Sequence, residues 1–283
     1  MSLLQLEELE QSSILFRGRA GNVLARGLMH LFAVDRVNEL YDRNSHLSGP
    51  DFASAVLKDI GLECSVGFSE SSGMGCDPFD DIRDVIPEGP FITISNHPCG
   101  HIDGVALVAL FGHLRPDYKV MANQILSRIH ALETSFITVV PTGSHRTSPG
   151  AANISGVKAA LAHLRGGAPL GLFPAGAVSD LSLRDRCIRD REWQASVIKL
   201  IMKAKVPVLP VRFFDRNSSF YYSLGLIHWK IRLLRLPSEV FNKRGSTFRI
   251  GIGPLISVQE LEEFGHDVAA LRDFLRSSVY DMV

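Results

Sequence analysis

The feature that most constrains the fold is an alternation. Short β-branched runs, each stopped by a loop rich in proline or glycine, are separated by segments with helical spacing. Pro90-Phe91-Ile92-Thr93-Ile94-Ser95 predicts a first strand, followed by a helix over residues 104–114. A second strand is predicted over 136–140, closed by Pro141-Thr142-Gly143, then a helix over 154–164. A third strand over 169–173 runs into Pro174-Ala175-Gly176, a helix follows over 193–203, and further strands are predicted over 206–214 and 248–252. Alternation of this kind predicts an α/β fold with a mostly parallel sheet flanked by helices. In such sheets ligands bind beyond the carboxyl ends of the strands. The loops after residues 95 and 173 both follow strands, so both are expected at one edge of the sheet as parts of one site. Pro207 and Pro210, read alone, suit an edge strand.

The flanks are helical. Residues 14–42 predict one helix, with Leu24, Leu28, Leu31 and Phe32 at helical spacing and Arg17, Arg19 and Arg26 as cationic positions. A second helix is predicted over 51–60, ended by Gly61, and residues 67–80 predict a loop. No repeat or dividing linker is visible. The chain is therefore read as a single domain over 1–283: an N-terminal helical segment (1–62), a catalytic α/β core (85–256) and a C-terminal helix (257–283).

Composition narrows the function classes. Hydrophobic residues make up 46% of the 283, enough for a substantial core, and charged residues make up 21%. The formal net charge is zero, so no overall field favours nucleic acid. The four cysteines, at 64, 76, 99 and 187, form no Cys-x-x-Cys pair and match neither a zinc site nor a disulfide framework. The first ten residues are acidic rather than basic-then-apolar, and no window of about 18 apolar residues occurs. These features predict a cytoplasmic chain, expected to lie on any membrane it meets rather than cross it. Residues 224–236 are the first candidate for such contact, since Leu226, Ile227, Trp229, Ile231, Leu233 and Leu234 alternate with Lys230, Arg232 and Arg235. The N-terminal helix is the second. Core packing with solvated arginines remains the competing reading.

The chemistry-bearing stretch is Asn96-His97-Pro98-Cys99-Gly100-His101-Ile102-Asp103-Gly104. A histidine can accept a proton near neutral pH. A carboxylate at its other ring nitrogen fixes the tautomer and stabilises the imidazolium. His97 and Asp103 form such a pair if the loop folds back, and Gly100 permits the turn. Two other readings stay open at this point. His97 can be an ordinary loop histidine with Asp103 capping the following helix. His97, His101 and Asp103 can instead hold a metal, as in a metal-dependent hydrolase. There is no Gly-x-Ser-x-Gly elbow and no phosphate-binding glycine loop.

On these residues the chain resembles the glycerophospholipid (lysophospholipid) acyltransferase superfamily, and within it the hemolysin-like or lyso-ornithine-lipid acyltransferase branch. The resemblance covers most of the chain. The superfamily's first block separates histidine from aspartate by four residues. Here five intervene between His97 and Asp103, as in the His-Pro-x-Gly-x-x-Asp-Gly form of that branch. The third block, Phe-Pro-Glu-Gly-Thr-Arg-Ser, reads Phe173-Pro174-Ala175-Gly176-Ala177-Val178-Ser179. Val139-Val140-Pro141 matches the strand end of the second block, with Arg146 five residues after Pro141, and Val206-Pro207-Val208-Leu209-Pro210-Val211 matches the fourth.

The resemblance implies His97 and Asp103 as the catalytic pair, with Asn96, Gly100, Gly104, Pro141, Phe173, Pro174, Gly176 and Ser179 contacting substrate. It implies transfer from an acyl-carrier-protein or coenzyme A thioester to a lysolipid hydroxyl, with no metal and no cofactor, at the inner membrane. Backbone N–H groups near Gly100 or at the start of the next helix are expected to hold the oxyanion. Ala175 and Val178 stand where the block carries its charged groups. That favours an amino-acid lysolipid of the ornithine type over a glycerophosphate acceptor. N-acylation of a free amino acid, and a catalytically silent lipid-binding protein, are the competing functions.

Overall fold

A computed structural model describes residues 18–68, 78–123, 126, 128–139, 151–227 and 229–283. Three helices open it: α1 (Gly18–Leu31), α2 (Val34–Asn44) and α3 (Gly49–Asp59). The continuous helix expected over 14–42 is interrupted, because Ala33 adopts a left-handed conformation (φ 56°) and turns the chain. The strand β1 (Glu63–Phe68) and helix α4 (Pro78–Val85) take up both ends of the loop expected over 67–80. β2 (Ile92–Ser95), α5 (His101–Leu114), β3 (Lys119–Asn123), β4 (Phe136–Val139), α6 (Ala151–Arg165) and β5 (Leu170–Leu172) follow. A hairpin, β6 (Asp180–Ser182) and β7 (Cys187–Arg189), precedes α7 (Ala195–Ala204) and β8 (Val208–Phe213). Three short helices come next: α8 (Ser219–Ile227), α9 (Trp229–Leu234) and α10 (Leu236–Phe241). The chain ends with β9 (Thr247–Ile252), α11 (Val258–Glu262) and α12 (Val268–Tyr280).

Seven strands form one sheet in the order β1-β9-β8-β2-β5-β3-β4. Every pairing is parallel except β8 with β9. The α/β class and the mostly parallel sheet are therefore as expected. β1 and β9 run together against the other five. The sheet begins at Glu63, ahead of the 85–256 core read from the sequence, because β1 pairs with β9 along its whole length. β3 and the hairpin were not legible either. Lys119-Val120-Met121-Ala122-Asn123 is poor in β-branched residues and becomes a strand through its neighbours.

Pro207 and Pro210 do not mark an edge. β8 is interior, between β2 and β9. On the β9 side, Val208 bridges Ile256 while Val211 pairs with Ile252. Pro210 falls in the bulge between these pairings, where no N–H is required, and its carbonyl accepts from the Gly253 N–H at 2.9 Å.

Both faces of the sheet are covered. On one, α3 and α5 bury Phe52, Leu57, Leu107 and Phe111 against Leu209, Phe213 and Phe248. α5 is apolar nearly all round and is accordingly enclosed, which is what such a helix requires. On the other face, α6, α7 and α12 bury Leu164, Ile198, Leu271 and Leu275 against Ile92, Leu170 and Val208. Each of these side chains contributes about 1.5–3 kcal/mol by leaving water. The C-terminal segment is two helices rather than one, with Gly265 at φ 53° between them. No helix among the described residues is long and apolar enough to cross a membrane.

Candidate active site

β2 and β5 are adjacent and parallel, so the loops at their carboxyl ends meet. His97 leaves β2 and Phe173 leaves β5, and their rings lie against each other with centroids 4.1 Å apart. Phe173 continues into a row of rings through Phe213 (6.4 Å) to Phe248 (5.4 Å). This row fixes the plane on which the His97 imidazole rests. The side chain of His97 keeps 18% of its surface exposed, whereas that of Asp103 has none.

The loop folds back as the pairing requires. Asp103 lies in the first turn of α5, and its Oδ2 stands 3.0 Å from His97 Nδ1. The same Oδ2 accepts the N–H groups of Cys99 and Gly100, each at 2.9 Å. The contact with Nδ1 is close in distance but short of hydrogen-bond alignment, and Asp103 Oδ1 has no partner. Capping the helix and facing the histidine are thus not rival roles. One oxygen does both, because the two donors and the ring converge on it. The turn depends on Gly100, whose φ of 75° with ψ of −123° suits glycine alone. A Cβ there would lie 3.0 Å from Leu236 Cδ2 and 3.2 Å from Val178 Cγ2.

That geometry corrects one expectation. The Cys99 and Gly100 N–H groups are spent on Asp103, so they are not available for an oxyanion. Further into the first turn of α5 the Asp103 N–H donates to the Gly100 carbonyl at 3.0 Å, so the His101 and Ile102 N–H groups, which helix geometry leaves without an intrahelical acceptor, are the backbone donors that remain.

Five hydrogen bonds hold the loop from outside. Asn96, expected to contact substrate, clamps β2 to β8: its Nδ2 donates to the Phe213 carbonyl and its Oδ1 accepts the Phe213 N–H, both at 2.8 Å. The Ser179 N–H donates to the His97 carbonyl at 2.8 Å. Tyr222 Oη donates to the Pro98 carbonyl at 2.8 Å. The His97 N–H donates to Asp190 Oδ1 at 3.1 Å. Asp190 is 3% exposed and also accepts from Ser179 Oγ (2.6 Å) and Trp193 Nε1 (3.1 Å). Burial pushes its carboxyl above the usual range, against the bonds from Ser179, Trp193 and His97 that pull it down.

Of the other expected substrate contacts, Gly104 approaches Phe173, Pro174 is buried, Gly176 turns the chain at φ 65° in the open, and Ser179 is buried on Asp190. Pro141 and Arg146 lie outside the described residues. Ala175 and Val178 are both buried; Val178 packs with Tyr221, Tyr222 and Leu236. His101 is exposed, and the described residues contain no group of three or more His, Cys, Asp or Glu placed to hold a metal.

The sequence did not single out Asp190 or Tyr222, and it gave Arg232 a different place. Asp190 sits in an alternating run of charges, Arg189-Asp190-Arg191-Glu192, that reads as a solvated surface. Only its spacing from Trp193 could have marked it. Arg232 was expected on a membrane-facing surface, but its side chain is 4% exposed. It bonds Asp180 and the carbonyls of Ser179 (3.0 Å) and Val178 (3.4 Å), because the strap after β5 needs a donor there.

A family model described as acyltransferase matches residues 73–282. The chain is 27% identical over 256 residues to a lyso-glycine lipid O-acyltransferase of Bacteroides thetaiotaomicron, covering 88% of this chain and 85% of that protein. It is 29% identical over 248 residues to the protein of the same name from Phocaeicola vulgatus, covering 84% and 85%. Among solved structures it is similar to the 1-acyl-sn-glycerophosphate acyltransferase PlsC of Thermotoga maritima, with a TM-score of 0.46 and 14% identity over 92% of this chain and 93% of that one.

Proposed function

The chain belongs to the acyltransferase family, and we propose that it moves a fatty acyl group from a thioester to the hydroxyl of an amino-acid-headed lysolipid. The observation that carries this reading is His97 at the carboxyl end of β2, with Nδ1 at 3.0 Å from a fully buried carboxylate. With Nδ1 turned to Asp103, Nε2 is the nitrogen left for the acceptor. Nε2 takes the hydroxyl proton as the oxygen attacks the thioester carbonyl carbon. The tetrahedral intermediate collapses, the C–S bond breaks, and His97 returns the proton to the departing thiolate. Asp103 holds the ring and stabilises its charged form. The thioester supplies the activation, so no protein nucleophile is needed.

The acceptor class is supported by Ala175 and Val178. Where the resembling block carries charged groups, these positions are buried in apolar packing and carry no cation, and the adjacent Arg232 is engaged by Asp180 and the Val178 and Ser179 carbonyls. The relatives' names specify a glycine-headed lysolipid, and this favours glycine over the ornithine read from the resemblance. On this reading the protein works at the cytoplasmic surface of the inner membrane, where it would meet a lipid acceptor. The test is acyl transfer by purified protein from both acyl-carrier-protein and coenzyme A thioesters, offered lyso-glycine lipid, lyso-ornithine lipid or free amino acids. Product from the lysolipids and loss of turnover in His97→Ala, with folding retained, are expected. Full activity in His97→Ala would overturn the base, and acylation of free amino acids alone would overturn the acceptor.

A further inference from the structure

The elements that hold the His97 loop carry, on their outer side, an apolar surface bordered by arginines. Eleven large hydrophobic side chains are exposed among the described residues. Six of them, Leu183, Phe220, Leu226, Ile227, Leu233 and Leu234, lie on α8, α9 and the tip of the β6–β7 hairpin. α8 packs against both α9 and β6, so these elements are neighbours. Phe220 and Ile227 are seven residues apart on the face of α8 away from the buried Tyr221 and Tyr222. Ile227 is 73% exposed and Leu183 is 69% exposed. Apolar side chains this bare, gathered on adjoining elements, mark a contact surface.

Charge identifies the partner. The acids of the hairpin are already engaged: Asp180 by Arg191 and Arg232, and Asp185 by Arg189 and Ser182. Arg184 and Arg186, beside Leu183 at the tip, are exposed and add positive charge that these acids do not offset. On the helical side, Arg235 lies over the Phe220 ring at 5.3 Å and faces Glu239 at 3.7 Å. Apolar side chains among surplus arginines complement an anionic lipid surface, with the arginines at the headgroups and the leucines and isoleucine below them.

We propose that the protein docks on anionic bilayers through the β6–β7 hairpin tip together with α8 and α9, so that the His97 loop faces the lipid from which the acceptor comes. The connection is short. Tyr222 of α8 bonds Pro98, Arg232 of α9 bonds the Ser179 strap, and Ser179 bonds His97. The proposal rests on the lysolipid reading for its purpose, but its test does not need turnover.

The experiment is flotation of the full chain with vesicles of phosphatidylcholine alone or mixed with phosphatidylglycerol. Three variants are compared with wild type: Leu183→Asp/Ile227→Asp/Leu234→Asp, Arg184→Gln/Arg186→Gln, and Val23→Asp on α1. Wild type is expected to float with the anionic vesicles. The triple variant should lose at least tenfold in partitioning, and the arginine pair roughly fivefold per arginine on anionic vesicles only. Val23→Asp should bind as wild type does. Both lipid-surface variants should retain acyl transfer to acceptor dispersed in detergent. Equal flotation of wild type and the triple variant overturns the docking face, as does release by Val23→Asp alone, which would assign contact to α1. Absence of turnover in wild type overturns the lysolipid reading and leaves the flotation result standing.

Discussion

Removing Asp190 tests whether the catalytic loop is held from its backbone side. Three donors converge on this buried carboxylate: the His97 N–H, Ser179 Oγ and Trp193 Nε1. In Asp190→Ala the serine hydroxyl can rotate elsewhere, but the two N–H groups cannot. At about 1–3 kcal/mol for each orphaned buried donor, the loss is roughly 2–6 kcal/mol. Against it stands relief from burying a carboxylate, which is real because burial already drives this group toward its neutral form. A net loss of about 3 kcal/mol follows, lowering Tm by about 6–12 °C for a chain of this size. Asp190→Asn is more specific. The amide presents one oxygen and one NH2 group, so one of the two fixed donors must face a donor. Its cost should be about 1–3 kcal/mol. Adding Trp193→Phe removes one of the competing donors, so the double variant should be more stable than the sum of the singles by about 1 kcal/mol. Urea denaturation of the four proteins gives the cycle, and kcat against KM separates the loop from the rest. We expect kcat to fall further than KM rises in Asp190→Ala. A stability loss below about 1 kcal/mol in Asp190→Ala, or zero coupling to Trp193, would refute the reasoning.

Other consequences follow from the same geometry. Gly100→Ala meets both an unfavourable backbone conformation and Leu236, so it should lose about 2 kcal/mol or more and most activity; calorimetry and turnover check this. Tyr222→Phe leaves the buried Pro98 carbonyl without its donor and should cost about 1–2 kcal/mol, read by urea denaturation. Asp190 also predicts a pH effect. Its folded value lies above its ordinary 3.8, so its contribution to stability is complete below 3.8 and declines as pH rises through the folded value. Asp190→Asn should flatten that part of the stability profile, measured as urea midpoint against pH.

What sequence alone determined about this protein is what local chemistry can express. β-branched runs such as Ile92-Thr93-Ile94 become strands, and the prolines and glycines after them become loops at strand ends. Because side chain and backbone act over a few residues, the class of fold and the approach of His97 to Asp103 were legible, as was Gly100 as the hinge between them. With five residues between the pair, the Cys99 and Gly100 N–H groups and the His97 ring meet at one Asp103 oxygen.

What tertiary structure alone decided is which distant groups face each other. Asp190 lies 93 positions after His97 and Tyr222 lies 124 after Pro98, separations that no local pattern encodes. The roles of β3, of β1 beside β9, and of Arg232 beneath the Ser179 strap were settled in the same way. A segment of ordinary propensity takes whatever hydrogen bonds its neighbours leave open, and a buried cation is stable only where carbonyls and a carboxylate surround it.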